Sequence, residues 1–197
     1  MQMKGMKMSY KTILVHIDTG KRCSARVEVA IHLALSHDAH LVALHALAPF
    51  EPPGYVIAEV GPAILDSQRL VAATEMARTE AAFNKLALAA GLTNAEWRTA
   101  IDDPVDAMTL HARYADLVVI GQADSSAGSH TPSDFPERLV LAAGRPVLIL
   151  PSAGRFAAVG KRILVAWSPS REAARALTDA IPLLRLADSV YVMVVNP

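Results

Sequence analysis

Lys11-Thr12-Ile13-Leu14-Val15-His16-Ile17, broken by Asp18-Thr19-Gly20, is the stretch on which the fold turns. A strand with helices over both sheet faces has no solvent side to alternate toward. It therefore reads as a short, continuous β-branched and apolar run, as this one does. A helical pattern follows over 23–36, with Val27, Ala30, Ile31 and Ala34 on one face. Residues 40–46 supply a second apolar run. Strand, helix and strand in that order imply parallel pairing through a right-handed crossover.

Downstream the alternation continues. After a Pro- and Gly-bearing connection (Pro49 to Pro62), a long helix is expected over 64–90, striped by Ala72, Met76, Thr79, Phe83, Leu86 and Ala90, with Gly91 past its end. A weaker strand lies at 95–100. Asp102-Asp103-Pro104 opens a helix over 105–114, where acidic groups and a first-turn proline suit a helix start. Leu117-Val118-Val119-Ile120 is a further strand ending at Gly121, and 122–133 is a polar loop. A short helix over 136–143 and the strand 146–150 close the unit. The expectation is an α/β, Rossmann-like open parallel sheet of five strands with helices on both faces, the strands near 13–17 and 117–120 side by side.

The chain then repeats itself. Lys161-Arg162-Ile163-Leu164-Val165 follows Lys11-Thr12-Ile13-Leu14-Val15 at an offset of 150, and the same offset pairs Ile31 with Ile181 and Val42 with Val192. We read residues 9–151 as one domain and 160–197 as a partial second copy (strand, helix, strand), joined by the linker 151–160. A two-stranded unit with one helix leaves apolar edges and a face open. It is expected to pack against the first unit or, preferentially, against another chain, making a dimer or higher oligomer.

Composition narrows the class. The 197 residues are 52% hydrophobic, and 19 Lys and Arg balance 19 Asp and Glu, so the electrostatic footprint of a general nucleic-acid binder is missing. No uninterrupted apolar run is long enough to span a membrane. The N-terminal residues lack the apolar region of a secretory signal. One cysteine, Cys23, fits a reducing cytoplasm.

These residues resemble the universal stress protein family. Ile13-Leu14-Val15-His16-Ile17-Asp18 looks like its first strand, which typically ends in an acidic residue. Asp103-Pro104, Ala115 to Gly121 and Arg145-Pro146-Val147-Leu148-Ile149-Leu150 match its later landmarks in order. Ile163 to Trp167, followed by Ser170 to Leu177, is similar to the second half of bacterial tandem members. The resemblance implies strand order 3-2-1-4-5, common dimerisation, and in many members ATP at the carboxyl ends of the strands. The family's phosphate loop runs glycine, two residues, glycine, nine residues, then Gly-Ser or Gly-Thr. Small residues there let backbone N–H groups approach phosphate at a helix start.

Carried over by position, Asp18, Gly121, Gly128 and Ser133 are the candidate cofactor-binding residues. The second glycine, however, falls on Asp124, and the Gly-Ser pair falls on Ser133-Asp134. Two carboxylates where phosphates would sit disfavour ATP, although Gly128 with Ser125-Ser126 leaves room for the loop to re-register. Asp18 either holds an adenosine or caps the first helix, and with the phosphate loop eroded capping is preferred.

The seven histidines lack ligand spacing, so no metal is expected; His16 and His45, on neighbouring strands, are candidates to approach one another. Ser152, Ser168 and Ser170 lack a nucleophile elbow, and Ser170 suits a helix N-cap. Neither a Ser-Gly-Gly-x-Asp-Ser loop nor a His-Ile-Gly-His signature occurs, which sets aside ligase- or pyrophosphatase-like chemistry. The leading expectation is a non-catalytic stress-response module acting through protein contacts. The alternative is an ATP-binding protein with slow hydrolysis or a nucleotide-sensing role.

Overall fold

Apolar runs with cover on both sides become the central strands. The computed structural model describes residues 9–49, 52, 54–55, 63–123, 131–154, 156 and 158–195. Its main sheet contains β1 (Thr12–Ile17), β2 (His40–Leu47), β3 (Ala95–Ile101), β4 (Leu117–Gly121) and β5 (Val147–Leu150), in the order β3-β2-β1-β4-β5. Every neighbouring pair is parallel. Between the strands run α1 (Cys23–His37), α2 (Ala63–Ala89), α3 (Pro104–Ala112) and α4 (Phe135–Ala142). The expected α/β architecture is therefore observed, with β1 and β4 paired from Ile13–Leu117 to Val15–Val119.

Alternate residues of β1 feed two cores. Ile13, Val15 and Ile17 pack with Val27, Ile31 and Ala34 of α1 and Phe83 of α2. Leu14 packs on the other face with Val42, Leu44, Met108 of α3 and Leu139 of α4. Asp116 pins the start of β1, its Oδ2 accepting from the backbone N–H of Lys11 at 2.7 Å and of Thr12 at 3.0 Å. Helix boundaries follow their chemistry. Asp103 caps α3, accepting from the N–H groups of Val105 and Asp106, and Pro104 sits in the first turn where its missing N–H costs nothing. Gly91, just past α2, adopts φ +70°, which favours glycine.

Beyond the linker, β6 (Arg162–Trp167), α5 (Arg171–Leu184) and β7 (Ser189–Val194) form a separate two-stranded parallel sheet with one helix. Ser170 caps α5, accepting from Ala173 N–H at 3.1 Å. The ungapped offset holds for β6 but slips by one at β7. Leu14 pairs with Val42, 28 residues on, whereas Leu164 pairs with Tyr191, 27 residues on.

Of the two packings expected for this segment, docking on its own first unit is present within the chain. The Tyr10 hydroxyl donates to the Asp179 carbonyl at 2.8 Å, and Leu183, with Phe156 and Val159 of the linker, packs against the α1 core. The linker permits this because Arg22 of the first unit donates to the Gly154 carbonyl and folds it back. Docking leaves much of the segment's apolar surface open: Leu164, Tyr191 and Val192 are each more than 60% exposed. Among the described residues no helix is long and apolar enough to cross a membrane.

No described residue from 161 to 195 is fully buried, whereas β1 is buried from Ile13 to Ile17. Local opening free energy follows such burial. Amide hydrogen exchange should therefore run at least about 100-fold faster in β6 and β7 than in β1 and β4. Equal protection, read by mass spectrometry, would contradict this picture.

Candidate functional site

An open parallel sheet offers a crevice where its strand order reverses, at the carboxyl ends of the strands. Here that point lies between β1 and β4, and a guanidinium occupies it. Arg26 projects from the first turn of α1 and is only 4% exposed. Its Nε donates to the His16 carbonyl at 2.7 Å. Its Nη2 lies 2.9 Å from Asp18 Oδ1, an ion-pair distance without the alignment of a directed hydrogen bond. Its Nη1 faces Gly121 so closely that a Cβ on that residue would stand 2.6 Å away. Gly121 is thus a close-approach glycine, with the Arg26 side chain as its neighbour.

Asp18 does not cap α1. The capping position is Arg22, without a side-chain cap, because the turn over residues 19–22 separates Asp18 from the first helical N–H groups. Instead Asp18 Oδ1 accepts from Gly20 N–H at 3.0 Å and faces Arg26. Burial, the largest single influence, works to raise the Asp18 pKa, but the Arg26 guanidinium, His16 and the Gly20 N–H together outweigh it, so the carboxyl titrates below its usual range.

His16 is pushed from 6.5 to about 3, first by burial and then by Arg26. It is therefore neutral at physiological pH, and its Nδ1, 3.9 Å from Asp18, makes no ion pair. Its ring packs on Phe135 at the start of α4, centroids 4.6 Å apart. His45 does not meet His16. The register sets His45 opposite Ile17, so the two imidazoles face opposite sides of the sheet. His45 instead lies beside Trp97 and the Thr79 hydroxyl, 3.0 Å from its Nδ1.

The space left is small. A cavity of about 40 Å³ is lined by His16, Asp18, Arg22, Arg26, Gly121 and Phe135, among others. A hollow of about 10 Å³ between the ends of β1 and β2 touches Asp18, His45 and Pro104. Sites for small organic ligands run to roughly 300 Å³ or more, so the first space suits a few waters and the second barely one.

Of the residues carried over by position, Asp18 and Gly121 come together here, joined through Arg26. Ser133 and Asp134 are exposed in the turn before α4, and the Asp134 side chain makes no cap. Gly128 and Asp124 lie outside the described residues. Among the described residues no group of three His, Cys, Asp or Glu side chains could hold a metal ion. Arg26 was missed in the sequence. Its signal was a charged residue in line with Ala30, Leu33 and His37, all buried on α1.

The sheet order and the flanking helices define an open, Rossmann-like α/β domain whose strand-end crevice holds Arg26. A family model described as "Universal stress protein family" matches residues 9–151, and the chain belongs to that family. Among solved structures, one universal stress protein from Burkholderia pseudomallei is 26% identical, with a TM-score of 0.51, over 73% of this chain and 97% of that one. Another, solved in complex with cAMP, is 24% identical with a TM-score of 0.53, over 74% of this chain and 99% of that one. A universal stress protein from Archaeoglobus fulgidus DSM 4304 is 17% identical with a TM-score of 0.59, and matches 93% of this chain but 65% of its own. A search of curated proteins returned no match.

Two outcomes test the cluster. Gly121→Ala should cost about 1–3 kcal/mol in urea denaturation by displacing Arg26. In an Arg26→Met background most of that cost should vanish; an additive double-mutant cycle would mean the two residues do not press on each other. Separately, the folded His16 pKa lies below the unfolded one. Between pH 6.5 and about 3 the unfolded chain therefore binds the extra proton. This contribution is intact above pH 6.5 and is lost as pH falls through that window, with a loss on the order of a few kcal/mol. His16→Phe should flatten the slope, and an unchanged profile would place the acid sensitivity elsewhere.

Proposed function

We propose that this protein is a non-catalytic regulatory module of the stress-response type, working in the cytoplasm through contacts with other proteins. Its nucleotide position has been given over to an internal cation. The observation that carries this reading is Arg26. The carboxylate that would hold an adenosine, Asp18, is engaged by a guanidinium and by Gly20 N–H, and about 40 Å³ remains beside it. The exposed Asp134 at the start of α4 adds negative charge where phosphates would approach.

Residues 9–151 form one domain in this reading, and 160–197 begin a second copy. The Archaeoglobus fulgidus structure, longer than this chain and matched over 93% of it, is in keeping with such a tandem arrangement. Self-association is part of the proposal, because the apolar surface of β7 remains open after docking. The second reading is an ATP-binding protein with slow hydrolysis or a nucleotide-sensing role. It draws on the relative solved with cAMP and on the family positions Asp18 and Gly121, with Gly128 and Ser133 completing the loop.

ATP with magnesium at millimolar concentration should give almost no thermal shift. A ligand at 100-fold excess over its dissociation constant adds about 2.7 kcal/mol, which for a chain this size is a shift of roughly 5–10 °C. A saturable shift of that size, abolished in Asp18→Ala, would establish the second reading in place of the first.

A further inference from the structure

A larger cleft lies elsewhere, between the start of α1 and the middle of α2. It encloses about 290 Å³, close to the lower size of a small-molecule site. Its floor is apolar: Val27 and Phe83 are each 2% exposed, and Leu86 packs against the same core. Its rim is cationic. Lys21 and Arg78 line the cleft and are exposed, and neither makes an ion pair or hydrogen bond among the described residues. At the same rim α1 begins without an acidic residue in its first turn and without a side-chain cap, so its partial positive charge is uncompensated. The one carboxylate on the lining, Asp18, is already held by Arg26.

We propose that this cleft binds a small amphipathic monoanion, an acyl carboxylate whose chain lies on Phe83 and Val27 and whose head group sits between Lys21 and Arg78. The class follows from what the floor lacks. Among the apolar floor residues the hydroxyl of Thr79 is engaged with His45 and with the Glu75 and Met76 carbonyls, and the other lining hydroxyls, Thr19 and Ser24, flank Lys21 in the chain on the head-group side, so the floor itself does not read the polar edge of a base or sugar. An apolar body is the complement of such a floor, and a single negative head group is the complement of such a rim. This inference is independent of the reading of the Arg26 cavity.

Cys23, the chain's one cysteine, lies on the cleft and reports its occupancy. Burial pushes its thiol pKa up, so alkylation is slow and proceeds as the site opens. The full chain is titrated with decanoate below its micellar concentration, following thermal shift and the rate of Cys23 alkylation by iodoacetamide. Decanoate should give a saturable stabilisation and slow alkylation several-fold, and decanol at equal concentration should do neither. The double variant Lys21→Ala, Arg78→Ala should keep the melting temperature of the free protein, since both side chains are exposed, and bind decanoate about tenfold or more weakly. Absence of a saturable effect overturns the proposal. So does equal protection by decanol, which marks adsorption, or equal affinity in the double variant. Protection of Cys23 by ATP would assign the cleft to nucleotides instead.

Discussion

A guanidinium taken out of water must be met by fixed acceptors, because its charge cannot be titrated away. Arg26 imposes that requirement on everything around it. Its Nε claims the His16 carbonyl at the end of β1, and its charge claims Asp18. Its Nη1 leaves no room for a side chain at Gly121, where β4 ends. His16, deprived of its own charge by burial and by the same guanidinium, is free to pack as an apolar ring on Phe135 at the start of α4. One side chain of α1 thus ties together the two central strands and, through His16, the helix beyond them. At the crevice between the ends of β1 and β4 this chain has an internal ion pair.

Most of the fold was legible because its signals are local. Apolar runs, a capping Asp103, a proline at the start of α3 and Gly91 after α2 each act within a few residues, and the element boundaries fall within one or two residues of the expected ones. The site was less legible because its contacts cross the chain. Asp18 and Gly121 could be placed by resemblance. Arg26 could not, since a helical stripe is found by counting apolar positions and a buried charge breaks that count. Its partners lie on β1 and at the end of β4, and no spacing within α1 points to them. The two histidines illustrate the same limit. Both strands are apolar on both faces, so their composition does not specify register, and a shift of one residue decides which face His45 takes.

The second strand–helix–strand segment differs from the first in burial more than in pattern. Among the described residues its strands have one helix and no second layer, so the sequence that builds a core at β1 builds only partial cover at β6. The edges differ as well. β3, at one edge of the main sheet, carries Glu96 and Arg98, paired at 2.7 Å, which discourages another strand from joining. β7 has no charged residue along its length.

The hydroxyl of Tyr10 and the carbonyl of Asp179 meet across 169 residues of chain. A ribosome adding about 5–20 residues per second exposes the first partner roughly 10–30 s before the second exists. Throughout that interval the first unit can fold, while the ring of Tyr10 settles against His37, 4.9 Å away between centroids. Helix α5 therefore lands on a surface already built, and assembly of these two units is ordered in time by which of them leaves the tunnel first.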